Sequence, residues 1–471
     1  MSPVDIGELQ MATVSRDAQA ASLTRARLDG LVKPVGSLGR LEDVAVWLSG
    51  VQGQSPPRPL DRGRVVVLAG DHGIASHGVS AYPPEVTAAM VRTFVSGLAG
   101  VSVLARQHGA GVRVLDLGVD ADLSDLGADV TRFKVRRGSG SIDREDALTD
   151  DEVEAAFRAG MTVADEEVDA GADLLIVGDM GIGNTTVAAA LVGASLELSP
   201  LDVVGSGTGV DDAAWARKVA ALRDALHRAR PFRGDGLALL RTIGSADTAA
   251  MTGLLLQAAA RQTPVLLDGV VSCACALVGR RMVEDSRHWW LAGHRSTEPA
   301  QHKVLEVLDL EPLVDVGMRL GEGTGALVAL PVLRSAQALV AEMGLLADVL
   351  PPEAASAADS AFGSAADAVA DSSADLAGDS AAADAGDLPA GPAGEHADPA
   401  AADAGDQPAG PAAETADPAA ADAGDLPAGP AAETADPAAA DAGDLPAEGP
   451  TAASEDASPE PARDRAGDPE S

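Results

Sequence analysis

Residues 173–192 read DLLIVGDMGIGNTTVAAALV. Leu174 to Val177 form a continuous apolar run without polar alternation, the pattern of a strand buried on both faces. Gly178 to Gly183 then supply a glycine-rich turn, and Asn184 onward reads as a helix. The same order recurs along the chain. RVVVLAGDHG, VRVLDLGVD, TPVLLDGVV and HWWLAGHRS each end an apolar run on glycine, aspartate or a polar cluster. Helix-like stretches lie between them, among them PPEVTAAMVRTFVSGLAGVSVLARQ, read as one helical stretch, and ADTAAMTGLLLQAAARQ. Buried strands alternating with helices specify an α/β fold, a parallel sheet covered by helices. Ligands in such folds bind beyond the carboxyl ends of the strands, where the Gly/Asp clusters fall. Residues 1–55 and 302–350 read as helical segments that together make a small helical domain beside an α/β domain at 56–301.

The chain has 471 residues and a net charge of -38. Most of that charge lies in residues 351–471, where a 19-residue unit beginning AAADAGD repeats from Ala381, Ala400, Ala419 and, in broken form, Ala438. These repeats offer alanine, proline and at most one leucine, too little apolar surface to offset chain entropy. They are expected to be a disordered acidic tail. No basic stripe marks a nucleic-acid binder. The N-terminus lacks a basic segment followed by an apolar core, and no uninterrupted apolar run reaches bilayer length. Cys273 and Cys275 are too close in sequence for an unstrained disulfide and read as small residues of a packed helix in a reduced, cytoplasmic protein.

Several loops carry residues suited to chemistry. Backbone N–H groups at the start of the helix after Gly178–Gly183 can cradle a phosphate, with Thr185 and Thr186 as caps. No Gly-Lys-Ser/Thr follows, and Gly181 and Gly183 lack the third glycine of GxGxxG. A tight strand-to-helix turn without a ligand is the alternative. In VVGSGTGVDDAAWARK (Val203–Lys218), Asp211 and Asp212 follow the glycines and are placed to cap a helix, and Lys218 lies two turns on. Asp71, His72 and His77 are metal-ligand types, but one acid and two histidines at a strand end are ordinary loop residues as well. Tyr82 is the only tyrosine and suits either stacking on a flat ring or a core position. In RLGEGTGALVAL (Arg319–Leu330), one acid, Glu322, sits between glycines ahead of an apolar helix-like run. Glycine permits close backbone approach, and a helix N-terminus keeps a carboxylate ionised. Glu322 is a base, a counter-charge or a cap.

These pieces, in this order, are similar to one family. KPVGSLGRLE (Lys33–Glu42), GDHGI (Gly70–Ile74), VSAYPPEVT (Val79–Thr87), GDMGIGNTT, GTGVDD (Gly207–Asp212), PVLLDG (Pro264–Gly269), GHRSTEP (Gly293–Pro299) and GMRLGEGTGA (Gly317–Ala326) resemble the nicotinate-nucleotide–dimethylbenzimidazole phosphoribosyltransferases of cobalamin lower-ligand synthesis. The resemblance implies a Rossmann-like domain with a small helical domain, a homodimer, and no cofactor or metal. The implied partners are nicotinate mononucleotide and 5,6-dimethylbenzimidazole, with no nucleic acid and no membrane.

The implied products are α-ribazole 5'-phosphate and nicotinate, and the implied catalytic base is Glu322. The leaving pyridinium departs neutral and needs no general acid. The azole nucleophile must lose one proton, for which one carboxylate near its N–H suffices. By the same match, Asp179, Met180, Gly181, Gly183, Asn184, Thr185, Gly207, Lys218, Ser296 and Arg319 hold the phosphoribosyl group. Asp268 takes the ribose hydroxyls, and Tyr82 and Met90 border the base pocket. The chain departs from the family at Asp179, usually Glu, at Ser206, usually Arg, at Pro84, usually Gln, and at Ala246-Asp247, Cys273 and Cys275. Most of these changes bear on which base is accepted. The alternative is a catalytically weak nucleotide-binding sensor on the same fold.

Overall fold

The five apolar runs become five strands: β1 (Gly63–Gly70), β2 (Gly111–Gly118), β3 (Leu174–Met180), β4 (Val265–Leu267) and β5 (Trp290–Ala292). The computed structural model describes residues 4–209 and 211–349; the expected disordered tail lies outside them. The strands form one sheet in the order β2-β1-β3-β4-β5, and every neighbouring pair is parallel. Val65, Val66, Val67 and Leu68 of β1 and Leu174 to Val177 of β3 are all fully buried, as an uninterrupted apolar strand in a doubly covered sheet requires. The chain leaves β1 toward β2 on one side and returns to β3 on the other. The crevice beyond the carboxyl ends of β1 and β3 is therefore the topological switch point. GDHGI follows β1 there and GDMGIGNTT ends β3.

Helices Asp150–Asp169 and Ala246–Ala260 pack on each other, the first opened by a capping box between Thr149 and Glu152. Helix Val270–Met282 carries Cys273 and Cys275, both buried and free, and packs against helices Asn184–Leu196 and Ala246–Ala260. Near the N-terminus, helices Ala18–Asp29 and Arg40–Gln52 pack together, and helix Thr324–Glu342 lies against Arg40–Gln52. Arg27 fastens these parts by donating from Nε to the Val340 carbonyl at 2.6 Å.

One helix expectation changes. The stretch from Val86 to His108 is two helices, Val86–Val95 and Gly100–His108, broken where Gly97 takes φ +78°. Periodicity does not reveal this break, because apolar residues continue across it. Its consequence is a free helix N-terminus beside the switch point. Among the described residues, Val86–His108 and Thr324–Glu342 have the length and apolar composition of membrane spans. The first is interrupted by that break, and the second buries Leu327, Leu330, Leu333 and Val340 in the core.

Candidate active site

At the end of β3 the chain turns on Gly183, whose φ of +97° makes it the N-cap of helix Asn184–Leu196. Thr185 and Thr186 do not cap this helix. Asn184 instead turns its side chain back, accepting from the Thr185 N–H at 2.8 Å and donating to Asp179 Oδ2. Thr185 Oγ1 accepts from Lys218 Nζ at 2.9 Å, and the same ammonium donates to the Gly205 carbonyl at 3.1 Å. Lys218 is fully buried behind this loop, and its pKa is lowered by burial and partly restored by Glu298. Glu298 accepts from the Gly207 N–H at 2.8 Å, and Arg319 donates to the Gly207 carbonyl. Asp211 caps helix Asp212–Ala229, as its position predicts.

Opposite this polar end lies Glu322. It has φ +65° between Gly321 at +81° and Gly323 at +90°, three successive left-handed residues. A non-glycine residue there costs roughly 1–2 kcal/mol, and such strain persists only where surrounding contacts hold it. Two contacts do so. Gly178 lets the Glu322 carbonyl approach so closely that a Cβ would lie 2.2 Å from it. Asp268, fully buried, accepts from the N–H groups of Gly323 at 3.1 Å and Ala326 at 2.9 Å, one on each oxygen. These donors belong to the buried N-terminal end of helix Thr324–Glu342 and would otherwise be unpaired.

The Glu322 carboxylate serves a different helix from the one that follows it. Its Oε2 accepts from the Val101 N–H at 3.3 Å, in the first turn of Gly100–His108. Burial raises its pKa, the Val101 N–H lowers it, and Asp268 raises it again. The net upward shift differs from the simple expectation that a helix N-terminus keeps the acid strongly ionised; desolvation outweighs the single N–H. Asp179, also buried, is pushed up to about 8, first by burial and then by Asp268 and Asp247, with Asn184 opposing. Two carboxyl groups in one site thus both hold their protons more tightly than ordinary carboxylates.

Both groups face a cavity of about 710 Å³. Its lining includes Tyr82, Met90, Asp179, Met180, Gly181, Asn184, Thr185, Gly207, Ser296, Arg319 and Glu322. Tyr82 is 56% exposed at its mouth, so it is not a core residue. Gly183, Lys218 and Asp268 do not line it. Gly183 makes the turn, Lys218 braces the loops from behind, and Asp268 has both oxygens committed to backbone donors rather than turned toward a sugar. Asp71, His72 and His77 do not converge: Asp71 accepts from the Asp120 N–H at 2.8 Å, His72 faces Asp247 at 3.7 Å, and His77 faces Asp143 at 3.2 Å.

Residues 14–349 match the sequence pattern of the family described as Phosphoribosyltransferase. The nicotinate-nucleotide–dimethylbenzimidazole phosphoribosyltransferase of Mycobacterium avium (strain 104) is 58% identical over 342 residues, covering 72% of this chain and 97% of the relative. The chain belongs to the nicotinate-nucleotide–dimethylbenzimidazole phosphoribosyltransferase family. The Mycobacterium tuberculosis (strain ATCC 25618 / H37Rv) member is likewise 58% identical, over 69% of this chain and 90% of its own. The crystal structure of CobT from Thermus thermophilus superposes with a TM-score of 0.67 at 42% identity, covering 69% of this chain and 97% of the other.

Within this phosphoribosyltransferase framework, some residues had no signal in the sequence. Val101 acts through its backbone N–H, which any residue supplies. Gln301, fully buried, donates to the carbonyls of Asp268 at 3.1 Å and His294 at 3.0 Å, and accepts from the Ser296 N–H at 2.6 Å. It clamps the ends of β4 and β5 side by side. His294 lines the cavity, only 1% exposed, with Nε2 3.7 Å from Asp268 Oδ1. Glu298 was visible only as part of GHRSTEP.

Proposed function

We propose that this chain transfers the 5-phosphoribosyl group of nicotinate mononucleotide to 5,6-dimethylbenzimidazole, giving α-ribazole 5'-phosphate and nicotinate, with Glu322 as general base. The observation that carries the reading is the Glu322 carboxylate itself, buried, held by the Val101 N–H and lining one cavity together with Gly181, Asn184, Thr185 and Gly207 of the glycine loops. The azole N–H gives its proton to Glu322 as the second ring nitrogen attacks the anomeric carbon. A base with a raised pKa accepts that proton more readily than an ordinary carboxylate. The bond to the pyridinium nitrogen breaks with its electron pair, which neutralises the leaving ring. Attack opposite the leaving group converts a β-linked into an α-linked nucleotide. Positive character at the sugar is offset by the nearby carboxylate.

Thr185, Gly207, Ser296 and Arg319 hold the phosphate end, with Lys218 fixing Thr185 and Gly205 from behind. Apolar Val86, Met90, Val270 and Leu320 receive the benzimidazole. Asp179, protonated near neutral pH because its pKa is about 8, offers a hydrogen to the ligand rather than a second negative charge. The working unit is a cytoplasmic homodimer, with residues 1–55 and 302–350 forming the small helical domain. Incubation with both substrates, followed by chromatography, tests the reaction. Equal amounts of nicotinate and α-ribazole 5'-phosphate are expected; nucleotide binding without nicotinate release, across a panel of azole acceptors, would overturn it.

A further inference from the structure

We propose that Thr208 is a positioning residue that couples the two substrate ends of the cavity, so that the nucleotide and the base bind with positive cooperativity. The inference rests on the proposed reaction, in which the phosphate lies at Gly207 and the base against Val86 and Met90. Gly207, Thr208, Tyr82, Val86 and Met90 all line the one cavity. Thr208 follows Gly207 in the chain, whereas Tyr82 belongs to a strap between Val79 and Thr87 that leads into helix Val86–Val95.

The strap is anchored at both ends. Val79 and Thr87 are buried. Just before the first, the Gly78 carbonyl accepts from Arg217 Nε at 3.2 Å and Nη2 at 3.0 Å. At the second, Thr87 Oγ1 accepts from the Ile182 N–H at 3.2 Å. Between the anchors, Ala81 to Glu85 are all exposed. One residue of the nucleotide loop holds this middle part. The Ala81 N–H donates to Thr208 Oγ1 at 2.9 Å, and Ser80 Oγ lies 3.3 Å from the same oxygen. The Tyr82 N–H donates in turn to Ser80 Oγ at 3.3 Å. Three consecutive strap residues thus run, directly or through Ser80, to the Thr208 hydroxyl. Among the described residues, residues 80–82 form no hydrogen bond to any other loop.

Thr208 stands between Gly207 at φ +52° and Gly209 at φ +91°. Glycines on both sides leave it free to turn unless something orders its loop. The protein orders Gly207 in part, through Glu298 on its N–H and Arg319 on its carbonyl. A phosphate at Gly207 and Arg319 completes that order and fixes where the Thr208 hydroxyl points. The clasp itself is exposed, and exposed hydrogen bonds exchange with water at little net cost. It therefore closes only as far as the loop beneath it is ordered. When one ligand has ordered the loop, ordering the strap costs less for the second. The strap carries Tyr82 at the cavity mouth, next in the chain to the helix that presents Val86 and Met90, so its closure favours the base. By linkage, the base favours the nucleotide by the same factor.

The test is calorimetric titration of 5,6-dimethylbenzimidazole into the full chain, alone and with saturating ribose 5-phosphate, which has the phosphate and sugar but no leaving ring and so cannot react. In the native protein the base should bind about fivefold tighter, or more, when ribose 5-phosphate is present, the range of ordinary site-to-site coupling. Thr208→Val keeps the size of the side chain and removes the acceptor. Its ratio of the two affinities should fall to within about twofold of one, while each ligand alone still binds. Thr208→Ser keeps the hydroxyl and should restore the native ratio, which a merely structural role for the threonine methyl would not do. Independent binding of the two ligands in the native protein, or an undiminished ratio in Thr208→Val, overturns the coupling and leaves the proposed reaction standing. Failure of the native protein to bind either ligand overturns the proposed reaction and the coupling with it.

Discussion

Asp268→Asn isolates how the base is held. The native carboxylate accepts one N–H on each oxygen, from Gly323 and Ala326. Asparagine keeps one acceptor and turns its amide hydrogens toward the other N–H. Loss of one hydrogen bond to a charged acceptor costs about 1.5–3 kcal/mol, and loss of a negative charge at a helix N-terminus adds roughly 0.3–1 kcal/mol. Together, about 2–4 kcal/mol is removed from the segment that keeps Glu322 in its left-handed conformation. At about 1.4 kcal/mol per factor of ten, and with part of the loss taken up by local relaxation, kcat should fall about 100-fold. Asp268 does not line the cavity, so KM for nicotinate mononucleotide should stay within about threefold. The pH profile adds a readout that plain structural damage does not give. In the proposed role Glu322 works when ionised, so kcat/KM falls as pH drops through its raised pKa. Asp268 is one cause of that elevation, after burial, so the acid limb should move to lower pH in the variant. Steady-state kinetics from pH 4 to 8 check this. An unchanged kcat with an unmoved acid limb would refute the positioning role; a large rise in KM with kcat preserved would restore the ribose-hydroxyl role that the sequence suggested.

Two further outcomes follow from close packing and from buried charge. Gly178→Ala puts a Cβ 2.2 Å from the Glu322 carbonyl, so it should destabilise the fold by about 1–3 kcal/mol and lower kcat; native activity with a native melting temperature would contradict the close approach. Asp179 has its folded pKa raised from 3.8 to about 8, so between those values the folded protein holds a proton that the unfolded chain has released. Its burden on stability therefore grows as pH rises through that window and is complete above 8. Asp179→Asn should raise the melting temperature more at pH 8.5 than at pH 5, and an equal effect at both would show that the carboxyl ionises normally.

The sheet was legible because each strand lies in a largely apolar run that ends on glycine, aspartate or a polar cluster, and all five appear where those runs lie. Glu322 stood out as a lone acid between glycines, and the structure places it buried in the lining of the cavity. What escaped was set by backbone geometry. The break between Val95 and Gly100 is marked only by Ser96-Gly97 and Gly100, a turn signal that says nothing of the helix N-terminus receiving Glu322. Asp268 was legible as a strand-end acid near the site, but its task depends on which N–H groups the fold brings to it. The roles of Lys218 and Gln301 as braces depend on long-range loop packing that local spacing does not encode.

The most direct test is Glu322→Gln, which keeps the size and hydrogen-bonding shape of the side chain while removing the proton acceptor. Single-turnover nicotinate release should fall by about 100- to 10,000-fold, the range that general-base catalysis supplies, while nicotinate mononucleotide binds with an affinity within about threefold of the native protein. Nicotinate release within tenfold of native, at unchanged binding, would contradict the assignment of Glu322 as the base.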